Sequence, residues 1–422
     1  MVGLRPAFDP LTRATSWALW RTLGAGLAVT TVVVACSSPS GAVSSDPSDA
    51  GGSTSDDASE DASAPQPDGD ASTFTSAPHA PPPALTPHTT KVFATPQVVT
   101  VTYAGFASQD EVEAFGDFVV GSKWLETVGR DYGVGHGTHA SKLRLSQAAP
   151  ATLTDAQIVS LLKKHIGDGS LPAPSASNGE LVFLVYVPGT TKVNDGAGAI
   201  MCADDYYGYH AASTSNGVRF AYAVLPDCDG NIDTLTSTAS HELIESATDP
   251  EDGWYLSAKK DDAWWGLDNA EVADLCEWTE VVREGGFALQ RSWSIAAAAA
   301  GENPCVPIAP GTSAAMMGVT AAPAKVVTLK PGASTTFTLT GWSSEPMADW
   351  KLKTIITDDA EFDPDAHFSA TTINNGGTVT VTLTVPKTNS AGDPVASGQM
   401  GSVMIFSGDD ADRFSPVTVV AQ

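Results

Sequence analysis

The alternation of apolar and polar positions becomes regular at about residue 94. "QVVTVTYAGF" (97–106) is a β-branched strand, and "SQDE" (108–111) is a capping box opening a helix with Val112, Phe115, Val119 and Leu125 on related faces. "SKLRL" (141–145) alternates like a short strand. "TDAQ" (154–157) is a second capping box, leading into the helical "IVSLLKKHI". "ELVFLVYVP" (180–188) is apolar enough for a buried strand, and "VRFAYAVLP" (218–226) is the next one. A helix from about Asp233 to Thr248 follows, stopped by Asp249-Pro250. The order strand, helix, strand, helix, strand, strand, helix predicts an α+β domain with a mixed sheet over 94–308.

Past Cys305 the pattern changes. A Pro/Ala/Gly-rich joint, "VPIAPGTSAAMMGVTAAPA", leads into short strands with turn signals, among them "KVVTLKPGASTTFTLTGWS", "GTVTVTLTVP" and "GSVMIFSG". Residues 320–422 therefore read as an all-β, immunoglobulin-like sandwich. It carries no cluster of catalytic residue types.

The N-terminal region describes location instead of fold. Arg5, Arg13 and Arg21 precede "LGAGLAVTTVVVA", too short to span a bilayer comfortably and suited to a signal-peptide core. It ends in "VVAC", which resembles a bacterial lipobox, so residues 1–36 read as a lipoprotein signal peptide with Cys36 as the acylated residue. Residues 37–93 read as a disordered acidic linker, rich in Ser, Ala, Gly, Pro and Asp, that holds the domain off a membrane. The net charge of −27, with only 22 Lys and Arg, argues against nucleic-acid binding and against an electrostatic footing on anionic lipid. These features predict an outer-membrane or cell-surface lipoprotein, monomeric, meeting an extracellular peptide, protein or glycan. Without Cys36, four cysteines remain: Cys202, Cys228, Cys276 and Cys305. An even number in an exported chain suggests two disulfides, and three pairings are open; C-x-x-C spacing for a zinc site is absent.

The candidate chemistry centres on "SHELIESATDP" (240–250), a His-Glu-x-x-His zinc signature with Glu245 in place of the second histidine. On a helix His241 and Glu245 share a face, and a carboxylate ligates a divalent metal as imidazole does. Zinc is the first expectation, with manganese or calcium less excluded than at a two-histidine site. Glu242 is the expected catalytic general base. A further ligand is expected from "NAEVADLCEW", where Glu271 and Asp274 are three apart, with Asp249 and Glu251 as runners-up.

"MCADDYYGYHAAS…GVRFAYAVLPDC…ASHELIESATDPEDGWY…AEVADLC" resembles the plant exordium, or phosphate-induced, protein family through Cys202, Gly208, His210, Phe220-Ala221-Tyr222, Cys228, Thr248-Asp249-Pro250, Glu271 and Cys276. That resemblance implies an extracellular fold rather than an enzyme. The element order and the helix motif are separately similar to zincin metallopeptidases, which implies a metal-dependent peptidase or other hydrolase; the rival expectation is a non-catalytic surface binding or adhesion protein.

Two other features compete. "GHGTHAS" (135–141) and "GTSAAM" (311–316) resemble the histidine and serine motifs of subtilisin-like peptidases, with His136 and Ser313 in the right order. Asp131 does not end an apolar strand, however, and Ser313 sits in a Pro-rich joint. His136 and His139 are expected in a glycine-rich loop bordering the metal site. Tyr206, Tyr207, Tyr209, Trp254, Tyr255, Trp264, Trp265 and Trp278 crowd the motif helix, either as a stacking groove for carbohydrate or, the favoured expectation, as packing.

Overall fold

The computed structural model describes residues 74–422 apart from 90, 176–179, 197–199, 203–206, 251–252, 260–261, 309, 311–312, 323–325, 357–360 and 409–412, together with the backbone of 34–36. The expected signal peptide and acidic tract up to residue 73, with the Cys36 thiol, Tyr206 and Glu251, lie outside the described side chains.

The central domain runs β1 (Gln97–Thr102), α1 (Gln109–Val119), α2 (Lys123–Gly129), β2 (Thr138–Arg144), α3 (Asp155–Gly167), β3 (Leu181–Val187), β4 (Gly208–Ser215), β5 (Val218–Pro226) and α4 (Ile232–Thr248). Its mixed sheet has the order β4-β5-β3-β1-β2; only β4 runs antiparallel to its neighbour β5, and Val34–Cys36 pairs along the outer side of β4. Strand alternation splits the core in two. Val98, Val182, Leu184, Tyr186, Ala221, Ala223 and Leu225 face α1, α2 and α4, whereas Val99, Val101, Phe183, Val185, Phe220 and Tyr222 face α3. That explains why β3 reads as a continuous apolar run: all seven residues are buried.

Local signals are realised unequally. Thr154 caps α3 with a complete capping box through Gln157. Ser108 makes no side-chain bond to α1, because its backbone (φ −99°, ψ 38°) lies outside the extended region that aims a capping oxygen at the helix.

The second unit is a sandwich of two sheets. Its strands are β6 (Met317–Ala322), β7 (Val327–Leu329), β8 (Ser334–Ser343), β9 (Trp350–Ile356), β10 (Asp365–Phe368), β11 (Thr372–Ile373), β12 (Thr378–Thr384), β13 (Met400–Ser407) and β14 (Phe414–Ala421). One sheet has the order β6-β8-β12-β10, the other β7-β14-β13-β9-β11. The second sheet leans on the central domain: Trp264 and Trp278 pack against Phe414, and the Gly266 N–H donates to Thr418 Oγ1 at 2.9 Å.

The acidic linker was expected to reach residue 93, but residues 74–89 form a strap across both units. The Ala77 N–H donates to Asn375 Oδ1 at 2.8 Å, His79 stacks on Trp342 at 3.7 Å, Thr86–Pro87 pairs with Trp254–Tyr255, and His88 stacks on Tyr255 at 3.6 Å. Buried Ala77, Leu85 and Phe93 are too widely spaced to show periodicity. Pro81, Pro82 and Pro83 between them already restrict the backbone, so less entropy is lost on docking.

Candidate metal centre

α4 assembles the site. Asn231 caps it by accepting the Asp233 N–H at 3.0 Å, and every residue from Thr234 to Thr248 is buried, between the sheet on one side and the Val282–Leu289 hairpin on the other. So polar a helix tolerates burial in part because several of its hydroxyls are satisfied locally. Thr238 donates to the Thr234 carbonyl at 3.0 Å, Ser240 to Ser237 at 2.7 Å and Thr248 to Ile244 at 2.9 Å. Gly208 of β4 permits the close approach of strand and helix, since a Cβ there would stand 2.7 Å from Thr238 Cγ2 and 2.9 Å from Glu242 Oε1.

Six ionisable side chains converge against this helix, with exposures of 0% for His241, Glu242 and Glu245, 2% for Glu271, 3% for Asp274 and 5% for His210. Glu245 Oε1 accepts the N–H groups of Ala273 (3.1 Å) and Asp274 (3.2 Å), which fixes the carboxylate. Its Oε2 then lies 2.8 Å from His241 Nε2 and 3.6 Å from His210 Nδ1. Asp274 Oδ2 accepts the Glu271 N–H at 2.6 Å, leaving Oδ1 at 3.4 Å from His241 Nε2. Glu242 Oε2 approaches His210 Nδ1 at 3.2 Å, and Glu271 Oε2 approaches His210 Nε2 at 3.6 Å.

Much of this cluster is at ion-pair distance yet out of hydrogen-bond alignment. Both ring nitrogens of His241, Glu242 Oε1, Glu245 Oε2, Glu271 Oε2 and Asp274 Oδ1 are buried without a hydrogen-bond partner. Each such atom costs about 1–3 kcal/mol if left so, and a packed interior does not concentrate them in one place without compensation. A bound cation would supply it. The donors form two groupings within 4.8 Å, His241/Glu245/Asp274 and His210/Glu242/Glu245, each able to hold a metal ion.

The electrostatics agree. Burial opposes charging of His241, but Glu245 and Asp274 beside it hold its pKa well above the ordinary value. Burial likewise opposes charging of His210, and contact with Glu242 more than reverses this. Burial, then Glu245, Asp249 and Asp274, push Glu271 well above the carboxylate range, while burial and Glu245 raise Asp274 to about 6.

Of the residues expected from the sequence, His241, Glu245 and Asp274 stand together. Asp274 sits on a 3-10 turn, Asp274–Cys276. Glu242 faces His210, and Glu271 lies beyond His210 in neither grouping. Asp249 follows α4, and its Oδ1 accepts the Gly253 N–H at 2.5 Å. His210 was quoted only within the family resemblance, yet it is a full member. Its signal is parity: in "GYHAAS" Tyr209 and Ala211 enter the core on the α3 side, so His210, opposite Ala223, projects toward α4.

The disulfides pair as Cys202–Cys228 and Cys276–Cys305. The second pins the Asp274 turn to the strand Cys305–Val306.

The serine-peptidase set is dispersed. His136 faces Glu126, Asp131 accepts from the Ser294 hydroxyl at 2.6 Å, and Ser313 donates to Glu345 at 3.2 Å. His139 does not border the metal centre in a loop. It lies in β2, at the opposite end of the sheet from β4, between Thr100 Oγ1 (2.9 Å) and Asp117 Oδ1 (2.8 Å). The aromatics pack: Tyr209 is buried on the α3 side, Trp254 meets Tyr132 edge-on, and Trp264 and Trp278 fill the joint with the sandwich.

No protein-family model matches the chain, and no curated protein matches it. Two solved structures share short stretches with it. Domains 4 and 5 of the S-layer protein SbsC are 17% identical with a TM-score of 0.18, covering 24% of this chain and 50% of that one. The S-layer protein rSbsC(31-844) is 18% identical with a TM-score of 0.19, covering 28% of this chain and 14% of that one. The chain thus spans half or less of either, and likeness at this level carries no functional argument. No helix among the described residues is long and apolar enough to cross a membrane.

Proposed function

We propose that this chain is a surface-anchored lipoprotein whose central domain is a metal-dependent hydrolase of the zincin peptidase type. The observation that carries the reading is the convergence of unpartnered, buried nitrogen and oxygen atoms from His241, Glu245 and Asp274. Two features support it further: the helix carries a His-Glu-x-x-Glu motif, and β4, which runs antiparallel to β5, lies beside that helix. One imidazole with two carboxylates suits zinc, with manganese as the harder alternative. A bound divalent ion would supply Lewis-acid polarisation of the scissile carbonyl. The chain's own residues do the rest. His241, Glu245 and Asp274 would hold the ion, and the Ala273 and Asp274 N–H groups orient Glu245. Glu242 and Glu271 are the cluster's carboxylates outside the His241/Glu245/Asp274 grouping, and the acceptor of the proton from the attacking water would come from these two.

A second reading is a non-catalytic surface binding protein with a structural ion, and the near-complete burial of every donor favours it. Metal analysis of the full chain against His241→Ala, run beside an unspecific peptidase assay, separates the two. Metal and activity both lost in the variant is the expected outcome. Metal without activity in the parent protein selects the structural role, and negligible metal in both rejects the centre. For the anchor, Cys36→Ser should abolish palmitate incorporation and release the protein from the membrane fraction.

A further inference from the structure

We infer that this centre holds two divalent cations, not one, with Glu245 Oε2 as the atom that bridges them. The inference rests on the metal-centre reading above and deepens it. One ion would sit among His241 Nε2, Glu245 Oε2 and Asp274 Oδ1, the other among His210 Nδ1, Glu242 Oε2 and Glu245 Oε2.

Three observations carry it. The first is reach. Nitrogen and oxygen ligands bind zinc at about 2.0–2.2 Å, so two donors on one ion stand no more than about 4.4 Å apart. Among the described residues, no grouping within 4.8 Å takes in both histidines. One comes from a strand and the other from a helix, and both are buried.

The second is the posture of Glu245. Its Oε1 is held by two backbone N–H groups, so only Oε2 is free, and that atom lies between the two imidazoles, 2.8 Å from one and 3.6 Å from the other. A carboxylate with one oxygen anchored can still bridge a pair of ions about 3.5–4 Å apart through the other.

The third is charge. Glu242, Glu245, Glu271 and Asp274 are all buried, and their ion pairs are with histidine, none with lysine or arginine. With neutral histidines acting as ligands, one divalent ion does not cancel the three buried carboxylates of the two groupings, Glu242, Glu245 and Asp274. The imidazole in each grouping selects zinc or manganese over calcium or magnesium. Glu242 is then a ligand, kept on the His210 side by the close approach of Gly208.

The test is a zinc titration of the full chain against a chromophoric chelator, with manganese loading followed by electron paramagnetic resonance. Two tight equivalents and a spin-coupled manganese spectrum are expected. Glu242→Gln and Asp274→Asn, both nearly isosteric, should each bind one equivalent and give the uncoupled six-line spectrum; a variant that keeps both ions overturns the assignment. Far-UV circular dichroism identifies a variant that has unfolded, and the parent protein's count and coupling decide the question without it. One equivalent with an uncoupled spectrum in the parent overturns the second site while leaving a single-ion centre intact. No bound equivalent overturns the centre itself.

Discussion

At the scale of single residues, the buried cluster makes stability and metal binding depend on pH in a predictable direction. His241, Glu271 and Asp274 all have pKa values raised in the fold, Asp274 from 3.8 to about 6. A raised folded value means the native state binds more protons than the unfolded chain, so the stability these groups contribute is present below the unfolded pKa values and lost as pH rises through the folded ones. A metal bound at the proposed centre would replace those protons. The increase in melting temperature on adding zinc should therefore be small at pH 4 and grow as pH passes about 6, measured as the difference between metal-free and loaded protein. A shift independent of pH would contradict the assignment. Away from the centre, Thr100 satisfies one nitrogen of His139 while Asp117 satisfies the other. Thr100→Val should cost about 1–2 kcal/mol in urea denaturation by stranding that buried nitrogen, with metal content unchanged.

At the scale of elements, the centre is built where one helix, the strand β4 and one turn meet, and the turn is the least regular of the three. Asp274–Cys276 is a single 3-10 turn without a side-chain cap, so the disulfide from Cys276 to Cys305 is what ties it down. Replacing both cysteines with serine should cost about 3–4 kcal/mol by the chain-entropy relation for a loop of this length, 29 residues in separation. Zinc affinity should fall with it, because Asp274 and the two N–H groups that hold Glu245 sit in the same turn. Reduced stability with unaltered affinity would show that α4 alone positions the ligands. Elements with strong local signals were legible beforehand: α4 was expected from about Asp233 and runs Ile232–Thr248, and Thr154 caps α3 as its motif predicts. Elements assembled from distant chain were not. His139 was placed in a loop because "GHGTHAS" is glycine-rich, yet pairing with β1 draws that segment into β2.

At the scale of the whole molecule, the β-sandwich is joined to the central domain by aromatic packing and by the strap of residues 74–89. Phe406 and Phe414 belong to the same apolar cluster as Leu243 and Leu275 of the metal domain. Phe414→Ala should therefore cost about 3–5 kcal/mol and lower one cooperative transition, followed by calorimetry. Two separable transitions, with only the later strands affected, would mean that the sandwich is an independent module.

The sequence by itself determined what depends on neighbours along the chain. It specified the elements with strong local periodicity, the break between α+β and all-β regions, and the pairing of His241 with Glu245 across one helical turn, while the strand β4 that carries His210 went unread between β3 and β5. The tertiary structure decided what depends on proximity between distant segments. It selected one disulfide pairing from three, made Asp274 the companion of His241, turned Glu242 toward His210, and scattered the apparent serine-peptidase residues. The physical reason is that helix and strand periodicities are local, whereas a metal centre requires side chains separated by up to 64 residues, from His210 to Asp274, to stand within a few ångströms.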